Sequence, residues 1–263
     1  MAGKVISDRG IPIDFSERMQ LKISIKPSSI VKYLAIVVIF LTIFSIGIQI
    51  GKYVFDYRES WTRMFNLDRE MNIPTWFSAL MLGFCGLLLR MIAQGKKQQG
   101  ERAAKDWRLL SNIFFFLAID EVLSIHEILI IPDVSKALNL PWFLHSLWVI
   151  PGAIFVLWFI KRFWKFSQNL PYKSRRHFFL AAAFYIGGAL IMEAIGSHVA
   201  EAQGQQNLTY ALIATVEEVM EMTGIIIFIY GLLFYLREWT SNNLLLQINF
   251  VEGDKKIYDK QEK

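Results

Sequence analysis

The sequence predicts an all-α polytopic membrane protein: six transmembrane helices in one bundle, with both termini in the cytoplasm. Three observations lead there. Of 263 residues, 54% are hydrophobic and 14% aromatic, too apolar a balance for an ordinary soluble domain. Six mostly apolar runs, at roughly 34–50, 74–93, 107–131, 142–160, 178–200 and 208–236, approach the length of about 20 residues that a crossing helix needs. Basic residues alternate between the intervening segments. Twenty-three of 28 Lys and Arg fall within 1–32, 90–108, 161–176 and 237–263, leaving Lys52, Arg58, Arg63, Arg69 and Lys136 for the other side. The positive-inside rule then puts both ends in the cytoplasm, which requires an even number of crossings.

Residues 1–30 read as a polar cytoplasmic arm. They carry scattered charges with Pro12 and Pro27, and no compact apolar region before a small-residue cleavage site, so the first span is expected to be retained. Residues 31–236 form the membrane domain. Its first span is short and is expected to extend in both directions. The first external loop, 51–72, carries Tyr53, Tyr57, Trp61 and Phe65, which suit a short interfacial helix. Pro74 suits the first turn of span two, where its missing N–H costs nothing, and Trp76 and Trp142 suit the outer interface. Cys85 lies in span two as a small apolar residue with no cysteine to pair with. Pro151-Gly152 is the one plausible break in span four. Span five carries a small-residue surface (Ala181 to Ala183, Gly187 to Ala189, Ala194, Gly196, Ser197) that allows close helix approach. Residues 237–263 form a cytoplasmic tail with one apolar stretch, 244–251, before charges expected to be mobile.

The net charge of +5 is therefore topology and contact with lipid head groups. Nucleic acid is excluded as a partner, and membrane lipids are the expected one.

Seven carboxylates interrupt the apolar runs with no Lys or Arg beside them: Asp120, Glu121 and Glu127 on span three, Glu193 on span five, and Glu217, Glu218 and Glu221 on span six. His126, His145 and His198 fall in the same neighbourhood. Ionisable groups at membrane depth face a protein interior and mark ion, proton or metal chemistry. The topology brings all of them to the outer half of the bilayer, with Glu217 roughly 13 Å below the start of its helix at 1.5 Å per residue. At about 100° per residue, Asp120, Ser124 and Glu127 share a face, as do Glu217 and Glu221. His126 points away from the Asp120 stripe, and His198 is well round from Glu193. Polar residues Thr42, Ser45, Gln49, Asn72, Thr75 and Ser78 occupy the same outer layer, as helix-contact hydrogen bonds that together permit a wet cavity.

So many neighbouring carboxylates cannot all carry charge uncompensated. Either several are protonated and hydrogen-bond one another, or a divalent metal supplies positive charge. Mixed oxygen and imidazole ligands suit Zn, Fe or Mn, and an all-oxygen set suits Mg, Ca or Mn. The expected ligands are Asp120, His126, Glu127, His145, Glu193, His198, Glu217 and Glu221, with Glu121 or Glu218 as proton acceptor. No Glu-x-x-His pair, His-Glu-x-x-His or Cys-x-x-Cys motif is present.

In the strings Asn72–Ser78 (NIPTWFS), Asp120–Glu127 (DEVLSIHE) and Glu217–Gly224 (EEVMEMTG), the chain resembles a group of bacterial, often cyanobacterial, six-span proteins with no assigned activity. The resemblance covers roughly residues 60–236. It implies a multi-pass protein of the inner membrane, or of the thylakoid membrane in a cyanobacterium, and supplies no reaction. The sequence reading is a membrane-embedded metal site acting on a lipid or quinone-like substrate from the outer leaflet. The alternatives are a proton- or cation-coupled transporter or channel, and an accessory subunit whose acids pair with a partner.

Overall fold

A computed structural model describes residues 21–24, 26–126, 147–240 and 245–248. Two compact units result, a helical one (Lys26–Trp239) and one formed by the chain ends. Among the described residues of the end unit, strands β1 (Leu21–Ser24) and β2 (Leu245–Ile248) form a two-stranded antiparallel ladder in the register Leu21 to Ile248. The sequence reading gave this arm and tail no strand. Each contributes only four residues, too short a run for alternation to announce it.

The helical unit runs α1 (Pro27–Val54), a 3-10 turn (Ser60–Phe65), α2 (Ile73–Gln98), α3 (Ala104–Leu123), α4 (Val149–Gln168), α5 (Tyr172–Ile186), a π turn (Gly187–Met192), α6 (Glu193–Gln203) and α7 (Leu208–Trp239). Among the described residues, four helical stretches are long and apolar enough to cross a membrane: 27–54, 73–98, 172–203 and 208–239. α3 and α4 have 20 residues each, but charges at their ends, Lys105 to Arg108 and Lys161 to Lys165, interrupt the apolar run.

α1 extends beyond its apolar run in both directions, as expected. The 3-10 turn occupies the place of the interfacial helix, with Phe65 packed edge-on against Phe44 of α1 at 4.9 Å. Asn72 caps α2 by accepting from the Thr75 N–H, and Pro74 sits in its first turn. Cys85 is fully buried and free.

α7 is the central element, packing on α1, α2, α5, the π turn and α6. Its C-terminal half buries Ile225, Ile229, Leu232 and Leu233 completely or nearly so. Glycines set the closest approaches. A Cβ on Gly224 would stand 2.8 Å from both the Ala181 carbonyl and the Tyr185 nitrogen, and one on Gly188 would stand 2.8 Å from the Glu217 carbonyl. The small-residue surface of α5 and the π turn therefore meets α7, as the sequence pattern suggests.

Two features differ from the expected helices. α4 begins at Val149, so Pro151 lies in its first turn, where proline is tolerated, and Pro151-Gly152 breaks nothing. α3 stops at Leu123, where Ser124 adopts a left-handed conformation (φ 48°, ψ 44°). The single expected helix 107–131 is thus closed by a C-cap. Glu127, Asp133, Trp142 and His145 lie outside the described residues.

Candidate functional site

The loop between α1 and α2 is folded by side chains that reach it from both helices. Ser45 and Gln49, fully buried on α1, hold it from one side. The Leu67 N–H donates to Ser45 Oγ at 3.0 Å, and Gln49 Nε2 donates to Asn66 Oδ1. From α2, Asn72 Nδ2 donates to the Asn66 carbonyl at 2.6 Å and the Arg63 carbonyl at 3.2 Å. Asn66 Oδ1 also accepts the Asp68 N–H at 3.0 Å, turning the chain locally. Ser45, Gln49, Asn72 and Thr75 therefore clamp residues 63–72, whereas Thr42 bonds the Val38 carbonyl of its own helix. The clamp delivers Asp68 and Glu70 to the bundle.

There they join one cavity of about 560 Å³. One end of it is lined by Asp68 and Glu70 from the loop, Asp120 and Glu121 from the end of α3, Glu193 from the start of α6, and Glu217, Glu218 and Glu221 from α7. His126, Trp148, Tyr185 and Tyr210 line the same chamber. α7 is regular through these positions, so Glu217 and Glu221 share a face with Glu218 beside them. The π turn precedes Glu193 directly and re-aims α6 relative to α5. π turns inside helices recur at functional sites.

His126 reaches the chamber because α3 ends. Past the left-handed Ser124 the chain folds back, so the His126 N–H donates to Asp120 Oδ1 at 3.1 Å and its Nδ1 lies 2.9 Å from Asp120 Oδ2. Its ring meets Trp148 edge-on at 5.3 Å. With Nδ1 engaged, Nε2 is the nitrogen left for a ligand. The azimuth that turned His126 away assumed a continuous helix, and that part of the reading is corrected.

Glu121 stands near Ser78 of α2 and near Glu70, Asp120 and His126. Glu193 Oε1 accepts from Ser197 Oγ at 3.4 Å. Glu193 and Glu217 stand beside each other, and like-charge repulsion disfavours two neighbouring carboxylates both being ionised without compensation.

The structure thus brings seven of the ten sequence candidates into one chamber: Asp120, Glu121, His126, Glu193, Glu217, Glu218 and Glu221. His198 is exposed on α6 and is not part of it. Glu127 and His145 fall outside the described residues. Asp68 and Glu70 are new. The polar residues Ser45, Gln49 and Asn72, expected to make helix-contact hydrogen bonds, instead fold the loop that carries both acids. Among the described residues, no three His, Cys, Asp or Glu side chains converge as a metal site does. The donors surround a chamber instead of a point.

Below the acids the cavity becomes apolar. Phe114, Phe155, Phe159, Phe163, Phe178 and Phe228 line it between α3, α4, α5 and α7, and Arg175 is the lone Lys or Arg among the described lining residues. Along α4 it runs from Gly152 to Ser167, about 22 Å at 1.5 Å per residue.

No curated protein and no solved structure matches the chain. The model of one family, described as a domain of unknown function (DUF8692), matches residues 32–236, and the chain belongs to that family.

Proposed function

We propose that this is a six-span membrane protein whose acidic chamber, in the outer half of the bilayer, holds a divalent metal ion. The apolar cavity beneath then takes the chain of a lipid or quinone-like molecule whose head group reaches the ion. The observation that carries this reading is the single cavity with eight carboxylates at one end and aromatic rings along the rest. A chamber this acidic, with no Lys or Arg lining its outer end, calls for a cation. Its oxygen-rich donor set with one imidazole suits a hard or borderline divalent ion. Asp120, His126, Glu193, Glu217 and Glu221 are the proposed holders, and Glu121 or Glu218 the proton acceptor. Such an ion would activate water or polarise a substrate oxygen. The pairing of β1 with β2 supports a reading in which both chain ends share one side and the number of crossings is even. The basic loops supply the cytoplasmic assignment.

One observation favours a second occupant. Carboxylates spread around a chamber, with Trp148, Tyr185 and Tyr210 between them, suit a cation larger than a metal ion, such as the ammonium head of a long-chain amine. Conduction fits less well. The inner end of α7 is packed apolar side chains, and Trp107 closes against Phe166 and Tyr235 at 5.0 and 4.9 Å.

Elemental analysis of purified protein tests the first reading. Stoichiometric metal in the wild type, lost in Glu217→Ala/Glu221→Ala with unchanged helicity, is the expected result. Metal-free wild type that is stabilised by dodecylamine, but not by divalent salts, would establish the second occupant in its place.

A further inference from the structure

At the other end of the bundle lies a second cavity, of about 470 Å³. Along α3, Asp106 at this end and Asp120 at the other are 14 residues apart, about 21 Å at 1.5 Å per residue. The cavity is lined by Lys96 from α2, Arg102 from the α2–α3 turn, Arg162 and Lys165 from α4, and the acids Glu101 and Asp106. Lys96 is only 8% exposed, and its ammonium donates to Glu101 at 2.9 Å while standing 4.7 Å over the Trp239 ring. Arg162 pairs with Asp106 at 2.6 Å. Arg102 and Lys165 have no carboxylate partner among the described residues, so the pocket keeps an excess of two positive charges. Its floor is apolar, made by Trp107, Phe166 and Leu170, each at most 8% exposed.

We propose that this pocket binds a phosphate group, with Arg102 and Lys165 supplying its charge-assisted hydrogen bonds beside the fixed Lys96 charge. Phosphate chemistry fits the site because it combines two exposed unpaired cations with a buried one above an apolar floor. The source favoured by the floor is an anionic phospholipid. Phe166 and Leu170 also line the long apolar cavity, so apolar surface adjoins the cationic rim. This site is separate from the acidic chamber and does not depend on what occupies it.

The test is native mass spectrometry of the full chain released from nanodiscs of mixed phosphatidylglycerol and phosphatidylcholine. Wild type should retain phosphatidylglycerol preferentially. Arg102→Gln/Lys165→Gln should lose that retention about tenfold with its melting temperature unchanged, and Arg102→Lys/Lys165→Arg should keep it. Lys173→Gln/Arg176→Gln removes two exposed charges outside the pocket and should change nothing. Displacement of the lipid by excess inorganic phosphate would assign recognition to the phosphate alone. Persistence of the lipid would assign it to phosphate and chain together. Equal retention of both lipids by the wild type, or equal losses from the two charge-removing pairs, would overturn the site in favour of general attraction to the leaflet.

Discussion

His126 Nδ1 lies 2.9 Å from Asp120 Oδ2, across the terminus of the helix that carries the aspartate. The same carboxylate accepts the His126 N–H through its other oxygen, so one side chain both ends α3 and orients an imidazole. Asp120→Asn keeps the shape and removes the charge that fixes the ring. Asp120 is both a proposed holder of the ion and the group that orients His126, so the expected outcome is at least the roughly 10–100-fold loss of metal affinity that follows removal of an orienting carboxylate, read by titrating metal into chelator-stripped protein. His198→Ala, on the exposed side of α6, should leave the affinity unchanged. Equal effects of both substitutions would remove the special standing of the pair.

Asn72 joins three tasks: it caps α2, and its amide holds the Asn66 and Arg63 carbonyls. Asn72→Asp retains the cap and loses both donors, whereas Asn72→Ala loses everything. Cap loss costs about 1 kcal/mol, but position 72 is only 3% exposed and an aspartate there sets a buried carboxylate against two carbonyl oxygens, so Asn72→Asp should be the less stable of the two. Amide hydrogen exchange should accelerate across residues 66–71 in both variants. If Asn72→Asp exchanges there like the wild type, the clamp does not depend on those donors.

How far the sequence revealed this arrangement follows from regularity. α7 is helical from Leu208 to Trp239, so spacing alone put Glu217 and Glu221 on one face. The same arithmetic failed for His126, because serine gives no warning of a left-handed residue; glycine or asparagine is the usual marker. Asp68 and Glu70 were hidden for a different reason. Loop acids are ordinarily solvated, and these two turn inward only because Ser45, Gln49 and Asn72 fold the loop. The π turn was equally unannounced, since Gly187-Gly188 reads as close packing whether or not a hydrogen-bond register shifts there.

Gly224 stands where α7 meets α5, with a hypothetical Cβ 2.8 Å from two backbone atoms. Backbone cannot yield as a flexible side chain does, so Gly224→Ala must push the helices apart. Overpacking of this kind typically costs about 1–3 kcal/mol, and a lowered melting temperature in detergent is expected. Gly47→Ala, with nothing within 4 Å of the added atom, should be neutral or slightly stabilising, since alanine is the better helix former. Indistinguishable melts for the two variants would mean that the α5–α7 contact is looser than drawn.

The apolar cavity and the acidic chamber are one continuous space, yet they are lined by different side chains, which allows them to be separated. Ala182 lines the apolar part from α5. Ala182→Trp would place an indole where a chain is proposed to lie, without touching a carboxylate. Lipid co-purifying with the protein, quantified by extraction and mass spectrometry, should fall, while bound metal should stay at the wild-type level. Glu217→Ala/Glu221→Ala should do the reverse, because it empties the charged end and leaves the aromatic walls in place. If the tryptophan variant instead loses metal and lipid together while remaining folded, the two are bound as a single unit, with the chain-bearing molecule itself completing the coordination of the ion.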